Sequence, residues 1–131
     1  MDTLNLDSLH LIQERKRFVL GGKAIFTVLS TSGTRYTFKV KKKDDFYFVS
    51  YLYGKNNESD YRYIGFIVRD EFRVGNTKSN EMSKVFHWIW KHIDSNQMQF
   101  FHSCKCGRCG RQLTTVESIL AGFGKECLAL I

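Results

Sequence analysis

The chain has 131 residues, 43% of them hydrophobic and 15% aromatic, with four cysteines, no proline and a formal net charge of +7. That composition excludes a disordered chain and allows one modest core, or a small domain with a stapled appendage. No apolar run approaches the roughly 20 residues of a membrane helix, and Met1-Asp2-Thr3-Leu4 lacks the positive stretch of a secretory signal, so a cytoplasmic protein is expected.

Asp7 is placed to cap a helix over about Ser8–Leu20. Leu9, Ile12, Lys16 and Val19 recur near helical spacing, and Gly21-Gly22 ends it. The polar stretch from Gln13 to Arg17 reads as solvated. Strand-like runs follow. Lys23–Ser30 comes first, then a turn at Thr31-Ser32-Gly33, then Thr34–Lys41. In that second run Tyr36, Phe38 and Val40 share one face, while Arg35, Thr37, Lys39 and Lys41 share the other. A hairpin turn is expected over Lys42-Lys43-Asp44-Asp45, with further runs at Phe46–Tyr53, Tyr61–Arg69 and Glu71–Val74. Loops this short, with no crossover helix between runs, favour an antiparallel meander.

A second helix is expected over Glu81–Ile93. Its Met82, Val85, Phe86, Ile89, Trp90 and Ile93 make a wide apolar stripe suited to covering a sheet face. Trp88 falls off the stripe. It either packs against the C-terminal segment or stands exposed as an anchor for a partner. Gln97–Phe101 reads as a last strand.

All four cysteines lie in the C-terminal part, three of them within six residues, so disulfides would staple little of the fold. Cys106-Gly107-Arg108-Cys109 is a C-x2-C knuckle that aims two sulfurs at one ion. Cys127 supplies a distant third ligand, returning after a short helix over Thr114–Gly122 with a capping-box pattern at Thr114 and Glu117. The fourth position is open between His102, four residues before the knuckle, and Cys104. The latter would put two sulfurs on one ion across a single residue. The expected cofactor is therefore one structural Zn2+, with all four positions filled by protein and none left for chemistry.

The stretch from Cys106 to Cys127 resembles the zinc-binding segment of a family of uncharacterised phage and plasmid proteins. Its usual form is C-G-R-C-G-R-x-L-T-x-P-E-S-I-x-x-G-x-G-P-x-C, often with a histidine four residues ahead. Cys106, Cys109, Gly110, Arg111, Leu113, Thr114, Glu117, Ser118, Ile119, Gly122, Gly124 and Cys127 fall on that pattern, while Val116 and Lys125 stand where the family has proline. The resemblance implies His102 as fourth ligand, a mobile-element origin and a bacterial host cytoplasm. It covers only the C-terminal segment and names no activity.

The whole reads as a small α+β protein: an antiparallel β-sheet packed by helices over residues 1–100, and a treble-clef or ribbon-like zinc module over 101–131. No Gly-rich phosphate loop or nucleophile–histidine–acid order is present, so a non-enzymatic binding protein is expected. Its candidate surface is basic: Arg35, Lys39 and Lys41, extended by Lys42 and Lys43, with Lys105, Arg108 and Arg111 from the knuckle. Tyr47, Tyr51, Tyr53, Tyr61 and Tyr63 are candidates for nearby rings. Charge with interleaved aromatics suits nucleic acid or a nucleoprotein. The alternative is an inhibitor that binds an acidic groove of a host defence protein, using the same face or Trp88.

Overall fold

The computed structural model describes residues 12–56, 59–74, 80–93, 95, 97–102, 105–114, 121–124 and 126–127. The expected helix start at Asp7, the helix over Thr114–Gly122 with its Glu117, and Cys104 lie outside the described residues or mostly so.

The elements are α1 (Ile12–Val19), β1 (Lys23–Ser30), β2 (Arg35–Lys43), β3 (Phe46–Leu52), β4 (Tyr61–Val68), β5 (Glu71–Arg73), α2 (Glu81–Lys91) and β6 (Met98–His102). They form a small α+β protein. A six-stranded antiparallel sheet has the order β5-β4-β3-β2-β1-β6, so β1 to β5 make the meander and β6 returns to the free edge of β1. Strand β6 runs across residue 100/101, where the sequence suggests a domain boundary.

Turn chemistry sets the register. Strand β2 extends to Lys43, pairing with Phe46 across a loop of Asp44 and Asp45, because Asp44 accepts the left-handed conformation (φ 59°). The expected turn therefore shrinks, and Lys42 and Lys43 become strand residues. Between β4 and β5 both Arg69 and Asp70 have positive φ, as a type I′ hairpin requires. A bulge interrupts β3–β4 at Val49/Ser50. A Cβ on Gly65 there would lie 2.6 Å from the Phe72 ring, so only glycine fits.

Both helices cover one face of the sheet. Phe26, Phe38, Val40, Val49, Ile64, Ile67, Phe72 and Phe100 are buried from the sheet side, and Phe18, Val19, Phe86, Ile89 and Trp90 from the helices. Helix α2 begins at Asn80, whose side chain accepts from the Ser83 N–H at 2.8 Å while the Ser83 hydroxyl accepts from the Asn80 N–H. Helix α1 departs from the sequence reading in its polar stretch: Arg15 is 2% exposed. Its Nη1 donates to the carbonyl oxygens of Ile93 and Ser95, both at 3.1 Å, and its guanidinium lies 5.8 Å from the Phe100 ring centre. The charge is thus satisfied by carbonyls beyond the end of α2 and joins the two helices.

Phe18 sits where α1, β6 and the C-terminal segment converge. Its ring is 6.2 Å from Phe100, 5.3 Å from His102 and 5.9 Å from Phe123. Phe18→Ala is expected to cost about 3–5 kcal/mol in denaturant unfolding. Phe46→Ala, on the face turned away from the helices, loses only cross-strand ring contacts and should cost about 1 kcal/mol or less. Equal losses at the two positions would contradict this placement of the core.

Candidate metal centre

The C-terminal segment is built on the edge of the sheet. A bridge between Lys105 and Gln112 brings the arms of the knuckle together. The Cys106 N–H donates to the Arg111 carbonyl and the Gly110 N–H to the Cys106 carbonyl, both at 2.9 Å. Gly110 turns the chain with φ 79°. Gly107 is pressed against the core, since a Cβ there would lie 2.8 Å from the Phe18 ring. Its carbonyl accepts from the Lys23 N–H at 2.7 Å, and its N–H donates to Gly122 at 2.9 Å. The knuckle is therefore hydrogen-bonded to the start of β1 on one side and to the returning chain on the other.

This arrangement brings Cys106, Cys109 and Cys127 together with their sulfurs all within 4.8 Å of one another. Tetrahedral thiolates at about 2.3 Å from one ion sit about 3.8 Å apart, so a small contraction fits the set to a metal. Cys106 and Cys127 are buried, Cys109 is exposed, and none is in a disulfide. The Cys106 sulfur accepts from the N–H groups of Arg108 and Gly124, both at 3.4 Å, and Arg108 Nη1 donates to the Cys127 sulfur at 3.6 Å.

Electrostatics divide the thiols. Burial pushes Cys106 up, but the N–H donors of Gly124, Cys109 and Arg108 outweigh it and bring it down to about 7 from 9.0. At Cys127 the Arg108 guanidinium pulls down; burial, the hydrogen bonds of Cys109 and Cys106 and the Cys106 charge together leave it raised. Cys106 is thus a readier thiolate than Cys127, from which a metal must displace a proton.

The fourth position is not among these three. His102 is buried at 7% exposure, and strand alternation sets it on the inner face with Met98 and Phe100, beside Phe18. Among the described residues the mutually close ligand group comprises the three cysteines and does not include His102. Arg108, expected on the binding surface, is exposed, and its guanidinium donates to a cluster sulfur. Arg111 is exposed and closes the knuckle through its carbonyl.

Beside the knuckle lies a groove of about 250 Å³ lined by Lys23, Ile25, Lys39, Val40, Lys41, Lys105 and Gly110. Lys39 and Lys41 are where the sequence places them. Lys43 continues their face. Lys42 alternates to the opposite face, where its ammonium lies 5.7 Å from the Tyr47 ring centre. Arg35 is exposed at the far end of β2. Lys23, passed over in the sequence, is the direct cross-strand partner of Lys41, and strand alternation alone would have found it. Of the tyrosines, Tyr47 and Tyr51 pack against the core, Tyr61 lies under Lys39 (4.7 Å), and Tyr53 and Tyr63 are exposed. Trp88 stands away from the knuckle: it stacks on His92 at 4.3 Å and lines a groove of about 510 Å³ with Val28, Tyr36, Val85 and Met98.

Residues 97–131, about a quarter of the chain, match a family of unknown function (DUF6011). No curated protein and no solved structure matches the chain. Among the described residues no helix is long and apolar enough to cross a membrane.

The cluster generates a direct expectation. The reduced protein should carry about one equivalent of metal, lost in Cys106→Ser and Cys127→Ser. Because bound cysteines must be thiolates, affinity should rise with pH, and binding at neutral pH should release protons into a weak buffer. Metal titrations with a competing chelator at several pH values check both. PH-independent affinity would rule out thiolate ligation.

Proposed function

We propose that this protein binds nucleic acid, does no chemistry, and uses a structural zinc ion to hold its C-terminal lobe in place. Three clustered sulfurs form a soft donor set suited to zinc, with His102 or Cys104 as candidates to complete it. The metal, when bound, supplies a cross-link; contact with a target falls to the chain's own side chains.

One observation carries the reading. Four lysines from three segments, Lys23, Lys39, Lys41 and Lys105, line a single groove. Lys23 and Lys41 are directly opposed across the ladder, an arrangement that repels in the free protein and is relieved by a polyanion. The formal charge of +7 adds long-range attraction. The phage or plasmid origin that the module's sequence resemblance implies would place that target in a bacterial host.

A second reading, a protein partner such as a host defence factor, is favoured by Trp88, which is 43% exposed above an apolar groove. Retrieval of a defined host protein after nuclease treatment, lost in Trp88→Ala, would support it.

For the leading reading, binding to a mixed-sequence oligonucleotide should weaken steeply with salt. Lys39→Ala and Lys41→Ala should each lower the slope of log affinity against log salt by about one. Absence of binding at low ionic strength sinks the proposal.

A further inference from the structure

The sheet face turned away from the helices carries an aromatic cluster. Phe48 and Phe66 are direct partners on β3 and β4, with Phe46 and Tyr63 beside them. Ring centres are 5.5 Å apart for Phe46–Phe66, 6.1 Å for Phe46–Phe48 and 5.9 Å for Phe48–Tyr63. Phe46 and Tyr63 are each 39% exposed. Rings in such number on a face that no described helix covers are not needed for the core, which lies on the other side.

The charge around them is one-sided. Across the β2–β3 seam Lys43 is paired with Phe46 and Lys41 with Phe48. One row across the sheet reads Lys23, Lys41, Phe48, Phe66, Arg73, and at the usual strand spacing it spans about 19 Å. The carboxylates nearby are Asp44 and Asp45 in the hairpin turn and Glu71, which is held by Arg73 at 2.6 Å. The lysines therefore occupy the β1–β2 side of the face and the rings the β3–β4 side, with Arg73 beyond them on β5 paired to Glu71.

We infer that this face binds a single strand of nucleic acid, with phosphates along the Lys23–Lys41 side and unpaired bases stacked on the Phe46, Phe48, Phe66 and Tyr63 rings. The inference rests on the nucleic-acid reading above and narrows it. A lysine groove alone serves single strands and duplexes alike. A duplex keeps its base faces stacked inside and offers these rings nothing, whereas a single strand presents charge and open π-faces side by side.

Labelled oligothymidylate and oligouridylate of about 15 nucleotides and a blunt duplex of equal length provide the test. Both single strands should bind more tightly than the duplex. Phe46→Ala and Tyr63→Ala should each weaken single-strand binding by about five- to a hundred-fold and leave duplex binding unchanged. In the unaltered protein, photo-crosslinking of a bromouracil-substituted strand should map to β3 and β4, a readout independent of how the variants fold. Equal affinity for duplex and single strand, or crosslinks confined to other segments, overturns the inference and leaves the broader reading standing. Failure of every probe to bind removes both.

Discussion

The contact of Phe18 with the backbone of the knuckle is the constraint from which the rest of the architecture follows. Gly107 and Gly122 both approach this ring so closely that a methyl group would collide with it. Phe100 and His102 meet it from β6, and Phe123 from the returning chain. Among its described residues, the C-terminal segment shares its interior with the sheet. Cys106, Leu113, Phe123 and Cys127 belong to the same buried cluster as the residues of the sheet. A segment of this size buries too little surface to be stable alone, so it borrows a wall from the sheet and helices, and its three clustered cysteines offer a metal ion a place as second fastening.

That packing also explains the two glycines that end α1. A side chain on Gly21 would run into the Gly107 carbonyl at 2.6 Å, and Gly22 has φ 125°. They stop a helix, as any Gly pair does, and they also leave room for another part of the chain. Buried Arg15, midway along the same helix, donates to carbonyls beyond α2. Helix α1 is thereby tied to the end of α2 by its middle and to the knuckle by its C-terminal end.

Much of this was legible in the sequence because it depends on period and spacing. Alternation at Tyr36, Phe38 and Val40 and the stripe from Met82 to Ile93 follow from which positions face a core, and C-x2-C spacing follows from the reach of two sulfurs to one ion. Arg15 was illegible: its neighbours are charged, and only the tertiary position of the Ile93 and Ser95 carbonyls makes burial favourable. Lys42 was misassigned to the face of Lys39 and Lys41 because a turn was expected where the strand continues, and one residue reverses the face. Phe46, Phe48 and Phe66 escaped notice for the opposite reason. Aromatic residues in a strand read as core, and only the register, which puts Val49 and Ile67 inside, shows that they lie outside.

The metal lobe and the basic groove are one construction seen from two sides. The Gly107 carbonyl holds the N–H of Lys23, and Gly110 lies against the stem of the same lysine, 3.6 Å from where a Cβ would stand. The knuckle thus fixes the direction in which that chain leaves the sheet. Lys105 enters the groove from the first arm of the knuckle, one residue before a sulfur of the cysteine cluster. Two of the four cations therefore take their positions from the cysteine cluster, and the other two from β2. On the nucleic-acid reading the site needs its charges held together against their own repulsion, and a metal-fastened lobe would do so more firmly than side-chain packing alone. On this reading the ion needs no open coordination position: its contribution is to keep like charges where a target can neutralise them.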